Sequence, residues 1–188
     1  MAEFAERKPW NNAHVCLIIG PGGAGKSSLG LELAPLLQRR LVDLDHEFHT
    51  RVEDITTYMR SEGYDRYKTR NSQLAVTLAA EATAPTLMVS SSGFLTDDNP
   101  APVLMANKRL LEASYGICLL PSRCLEVAVT TIVGRQTSRS FGRSRDIEEA
   151  VIRSRYQTYA ALGDLVLFSA APATDIARAA ADHLCQSQ

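Results

Sequence analysis

Long apolar runs, lysine, aromatic residues and metal-type cysteine spacing are all scarce in this chain of 188 residues. The longest apolar run near the start, His14-Val-Cys-Leu-Ile-Ile-Gly20, is far short of the ~20 residues that cross a bilayer. No membrane span is expected. The four cysteines (Cys16, Cys118, Cys124 and Cys185) form no Cys-x-x-Cys pair, which argues against a structural zinc site. Cys16 and Cys118 sit in apolar, strand-like runs, where a reduced thiol behaves as a small hydrophobe. Reduced thiols and a cytoplasmic protein are expected. Residues 1–13 lack the basic-then-apolar order of a signal peptide and read as a polar N-terminal tail. There are no repeats and no low-complexity linker, so residues 14–188 read as one domain.

The composition is that of an average globular protein, with 45% hydrophobic and 22% charged residues. A net charge of −1 excludes a general polyanion binder, and no nucleic-acid partner is expected. The charges are nevertheless segregated. Residues 41–65 carry seven acids against two bases, and residues 135–145 carry four arginines and no acid. Of the 20 bases in the chain, only four are lysine. Arginine's planar fork suits bidentate binding of phosphate and carboxylate.

Short apolar runs at 14–19, 41–44, 86–90, 116–120 and 165–168 alternate with helix-period segments at 46–60, 66–84, 102–113, 122–132, 146–161 and 172–185. Leu29, Leu33, Leu36 and Leu37 mark a further helix, with Pro35 placed to kink it late. Such alternation predicts a three-layer α/β domain built on a five-stranded parallel sheet. Residues 134–145 lack an apolar period and read as a mobile loop.

Gly20-Pro-Gly-Gly-Ala-Gly-Lys-Ser27 fits G-x-x-x-x-G-K-[ST] in full, after a strand and opening a helix. Glycines let backbone N–H groups turn toward phosphate oxygens, and the helix N-terminus adds partial positive charge. Gly22, Gly23, Ala24, Gly25, Lys26, Ser27 and Ser28 are therefore assigned to nucleotide binding. Lys26 reaches the β- and γ-phosphates, and the Ser27 hydroxyl can ligate magnesium. Asp43 and Asp45 close the second strand and point to one side of it. Asp43 is read as the magnesium-side carboxylate, and Asp45 as the group that orients an acceptor hydroxyl and takes its proton. A strand end that merely caps the next helix is the bland alternative for this pair. His46 and His49 could add metal ligands, although solvated helix-start residues fit them better.

The Walker loop, the Asp-x-Asp and the small size together resemble the shikimate kinase family, over about residues 14–182. The resemblance implies a P-loop kinase fold of the nucleoside-monophosphate-kinase type. It implies ATP and Mg2+ as cofactors, an acceptor-binding helical segment at about 46–84 and a lid at about 134–146. Arg139 matches the family's lid arginine, and Arg135 joins the nucleotide-binding set. Arg155, in Arg-Tyr-Gln-Thr-Tyr159, matches the arginine that grips the acceptor carboxylate in the family. The implied activity is transfer of the γ-phosphoryl group to a hydroxyl of shikimate or a close polyol relative. The implied acceptor is small, hydroxylated and carboxylate-bearing, and the protein is expected to be a monomer or weak homodimer. A kinase for another small hydroxyl compound, of the gluconate or nucleotide type, and a silent nucleotide- or effector-binding module are the alternatives.

The departures from the family cluster at the acceptor. The family's Phe-Arg-x-x-Glu reads Tyr64-Asp65-Arg66-Tyr67-Lys68, which inverts both charges. A one-residue shift offers Arg66 as the second clamp, turned about 100° round the helix. The family's Gly-Gly-Gly reads Ser91-Ser92-Gly93, leaving Gly93 to approach the acceptor.

Overall fold

A computed structural model describes residues 2–138 and 144–186. In chain order the elements are β1 (Glu3–Glu6), β2 (Val15–Ile19), α1 (Lys26–Leu36), β3 (Arg40–Asp43), α2 (Leu44–Arg51), α3 (Ile55–Glu62) and α4 (Tyr64–Ala80). They continue with β4 (Thr86–Val89), α5 (Ala101–Glu112), β5 (Tyr115–Leu120), α6 (Leu125–Thr137), α7 (Arg145–Ala160), β6 (Leu165–Phe168) and α8 (Ala173–Gln186). The sheet order is β1-β6-β5-β2-β4-β3. Every pairing is parallel except β1 with β6.

The central strands are apolar on both sides because both faces are covered. Along β2, Leu17 and Ile19 face the core under α2, α4, α5 and α7, while Cys16 and Ile18 face the core under α1 and α8. Cys16 and Cys118 are buried free thiols, and burial pushes both up to about 12, so they stay protonated. Among the described residues, no helix is long and apolar enough to cross a membrane.

Helix α1 carries the end of the phosphate loop and must sit close to the sheet. Gly30 makes that approach possible: a Cβ there would lie 2.6 Å from Val89 Cγ2 and 3.1 Å from Leu41 Cδ1. Gly30→Val is expected to overpack this contact and cost about 1–3 kcal/mol. A thermal melt reads that loss as a lower Tm, and an unchanged Tm would contradict the tight seat.

Three local expectations change. Residues 3–6, read as tail, form an edge strand, so the sheet has six strands rather than five. The Arg7 guanidinium donates to the carbonyls of Ala160, Leu162 and Gly163, and buried Trp10 packs edge-on against Tyr115 at 4.7 Å. The segment read as one helix over 46–60 is two, because Asp43 caps α2 and Asp54 caps α3 by accepting from Thr57 N at 2.9 Å. The segment read as a loop from residue 134 is helical through Thr137, where Arg135 ties α6 to the phosphate loop.

Candidate active site

The phosphate loop joins β2 to α1 at the carboxyl edge of the sheet, where ligands bind in open α/β folds. Gly25, the residue before α1, has φ 105°, a left-handed conformation that glycine adopts without a steric penalty. This turn leaves the first amides of α1 facing outward into a cavity of about 170 Å³. Gly22, Gly23, Gly25, Lys26, Ser27 and Ser28 line it, as the sequence predicts. Ala24 is buried behind them. The Lys26 ammonium is buried and donates to the Pro21 carbonyl at 3.1 Å, which holds it under the loop.

The cavity fits a magnesium-bound polyphosphate. Its wall combines amide donors, an ammonium, the Ser27 hydroxyl and the Asp45 carboxylate. Ser90 Oγ, also on this wall, is buried and has no hydrogen-bond partner among the described residues, so it can bond a ligand oxygen or a water there. Asp43, expected on the magnesium side, is the N-cap of α2. Its Oδ1 accepts from Asp45 N at 3.0 Å and His46 N at 3.4 Å, capping α2, and it stands outside the cavity wall. Among the described residues, no cluster of three His, Cys, Asp or Glu side chains could hold a metal, so His46 and His49 build no centre of their own.

Arg135 donates to the Gly23 and Ala24 carbonyls at 3.2 and 3.0 Å, and to the Ala170 carbonyl at 3.3 Å. It thus links the phosphate loop to the loop before α8. An open cleft of about 540 Å³ lies there, walled by Leu29, Arg135, Pro172 and Ile176, with space for a nucleoside. Arg139 and Arg143 lie outside the described residues.

A second cavity of about 220 Å³ opens beside the first, between α3, α4 and the β4–α5 loop. Asp45 and Ser92 line both cavities. The Asp45 carboxylate keeps access to solvent through the cleft, yet protein crowds its remaining sides. That desolvation holds its pKa above the ordinary carboxylate value, helped by the nearby Asp43 charge. The Ser91 hydroxyl, which donates to Asp45 Oδ1 at 2.5 Å, and the Lys26 ammonium act against the rise. Asp45 therefore ionises only at a higher pH than an ordinary carboxyl. Ser91→Ala removes one opposing contact, so a carboxyl-carbon NMR titration is expected to show the Asp45 midpoint moved further up. A midpoint moved down would contradict this account.

The second cavity rests on a buried polar network. Asn71 donates to Ser91 Oγ at 3.1 Å, Ser72 donates to Asn107 Oδ1 at 2.6 Å, and Asn107 donates to the Phe94 carbonyl at 2.6 Å. The Asn99 amide donates to the Gly93 and Thr96 carbonyls, both at 2.7 Å, and the Tyr159 hydroxyl donates to the Ser92 carbonyl at 2.7 Å. These bonds fix the 91–99 loop. Gly93 is on the wall, as expected. Arg66 is not: it is exposed and paired with Glu62 at 2.8 Å. On α4 it is Lys68 that turns inward. Arg155 stands beside this cavity rather than on its wall, 3.0 Å from Asp98 Oδ2. The sequence reading missed Lys68, Asn71 and Asn107 as wall residues. A signal existed: Lys68, Asn71, Ser72 and Ala75 recur at helical spacing on one buried face, and polar side chains on a core face imply a site.

A six-stranded, mostly parallel sheet with a Walker loop and two adjoining cavities at its carboxyl edge defines a P-loop kinase fold. The sequence profile of the family described as shikimate kinase matches residues 22–184. The chain belongs to the shikimate kinase family, whose cofactors are ATP and Mg2+. It is 30% identical to shikimate kinase 2 of an Enterobacter species over 79 residues, which cover 42% of this chain and 44% of that relative. The matched segment thus spans less than half of the relative's length. The shikimate kinase of Acinetobacter baumannii in complex with shikimate superposes with a TM-score of 0.73 at 19% identity, covering 93% of this chain and 94% of that one. The shikimate kinase of Aquifex aeolicus gives 0.71 at 16% identity, covering 90% and 95%. At these identities the two structures speak for the fold.

Proposed function

We propose that this chain is an ATP-dependent phosphotransferase that moves the γ-phosphoryl group onto an alcohol hydroxyl of a small polyol, with shikimate as the reference acceptor. The observation that carries this reading is the place of Asp45, on the wall shared by the phosphate cavity and the second cavity. A carboxylate there can orient a hydroxyl in one cavity toward a phosphate in the other.

When bound, Mg·ATP would supply the phosphoryl group and a divalent cation that offsets phosphate charge. The chain's residues supply the rest. The amides of Gly22 through Ser28 and the Lys26 ammonium hold the phosphate charge, and the ammonium stabilises the charge that grows in transfer. Ser27, with Ser90 on the same wall, would hold the cation. Asp45 accepts the hydroxyl proton as the oxygen attacks. Arg135 keeps the phosphate loop in register, and Arg139, in the lid segment, would add a guanidinium over the phosphates.

Acceptor-dependent ADP release tests the proposal. The full chain with Mg·ATP is expected to release ADP slowly alone, and faster by at least about tenfold when shikimate or a carbocyclic polyol is added. Tight nucleotide binding without acceptor-dependent release across a broad polyol panel would overturn it and favour an effector-binding module.

A further inference from the structure

The cations beside the second cavity are already neutralised from within the protein. Among the described residues, Lys68 is the one cationic side chain on its wall. Its side chain is only 7% exposed. It donates to the Asp98 carbonyl, stands 3.6 Å from the Asp98 and Asp65 carboxylates, and lies 4.4 Å over the Tyr64 ring. An ammonium has three protons, and these partners surround it. Arg155, the other cation nearby, has a side chain 16% exposed and pairs with the same Asp98 Oδ2 at 3.0 Å. Asp98 is held in turn by the Thr96 hydroxyl. Burial pushes the Asp98 carboxyl up, but Thr96, Arg155 and Lys68 outweigh it and hold it below the ordinary range. It therefore stays ionised at neutral pH.

Asp45, on the cavity wall, faces Lys26, while Asp98 and Asp65 stand off the wall and pair with Lys68. An entering carboxylate drawn to Lys68 and Arg155 would have to displace Asp98 from both. A neutral polyol meets no such barrier.

We propose that Asp98, by pairing with Lys68 on the cavity wall and Arg155 beside it, occupies the cations an acceptor carboxylate would use, so that this chain gains no affinity from a carboxylate on its polyol. Asp98 is then a specificity-determining residue. This inference rests on the phosphotransfer reading.

Shikimate and its methyl ester carry the same hydroxyls and differ in one charge, which makes them the probes. Isothermal titration of the full chain is expected to show the ester binding at least as tightly as the acid. Asp98→Asn keeps the shape and removes the charge, and is expected to shift the ester-to-acid affinity ratio about tenfold toward the acid. Asp98→Ala, the second variant, is expected to shift it the same way, and the wild-type ratio needs no variant. Tenfold tighter binding of the acid by wild type, an unchanged ratio in folded Asp98 variants, or no binding of either probe would each overturn the inference. The predicted ratios without ADP release from either probe would instead overturn the phosphotransfer reading and leave the role of Asp98 standing.

Discussion

Asp45→Asn is expected to bind Mg·ATP like wild type and to lose acceptor-dependent turnover by about 10²–10⁴-fold, the usual weight of a positioned general base. The substitution is nearly isosteric. The asparagine carbonyl can still accept the Ser91 hydroxyl that lies 2.5 Å from Oδ1, so the wall shared by the two cavities keeps its shape. The loss is chemical: an amide cannot take the proton of the attacking hydroxyl. Steady-state rates beside a nucleotide titration separate the two effects. Normal turnover in a folded Asp45→Asn protein would show that another group accepts the proton. Because burial raises the Asp45 pKa, wild-type kcat/KM is also expected to fall on acidification at a higher pH than an ordinary carboxylate near 3.9 would give.

Lys26→Ala is expected to reduce kcat by about 10²–10³-fold or more, the scale seen when one donor to developing charge is removed. The ammonium is buried and held at the Pro21 carbonyl, so its position is set before any ligand arrives. Interactions made more strongly in the transition state appear in kcat rather than in KM alone. A rise confined to the KM for ATP would reduce Lys26 to a ground-state contact. The same ammonium lowers the Asp45 pKa, so residual activity in Lys26→Ala should lose its acid limb at a still higher pH.

The phosphate side was legible in the sequence because its chemistry is local. Eight consecutive residues from Gly20 to Ser27 build the cradle, and their order alone requires the turn that Gly25 makes. Four of the five parallel strands were legible because both of their faces are buried, which writes a near-continuous apolar run, while β3 at the sheet edge shows only Leu41 and Val42. The edge strand Glu3–Glu6 was not, since two apolar residues in four give no readable period. Its hold on the sheet comes from distant partners, with Arg7 reaching carbonyls more than 150 residues away.

The acceptor side was legible only in part, for the same physical reason. Strand alternation was expected to set Asp43 and Asp45 on one side, but β3 ends at Asp43 and Asp45 stands in the first turn of α2, its amide bonded to Asp43 Oδ1. The inverted charges at Asp65 and Lys68 stand out in the sequence, yet their outcome depends on Asp98, thirty residues further along. Arg66 sits two positions from inward-facing Lys68, about 200° round the helix, and so points to solvent and Glu62.

The account turns on the destination of the phosphorus. Phosphorus NMR of the full chain with Mg·ATP and a panel holding shikimate, its methyl ester and neutral carbocyclic polyols follows that atom directly. The account predicts a new phosphomonoester resonance that grows with ADP, requires the acceptor, and is absent in Asp45→Asn. Inorganic phosphate as the sole product, or an ATP spectrum unchanged by every acceptor, would contradict it.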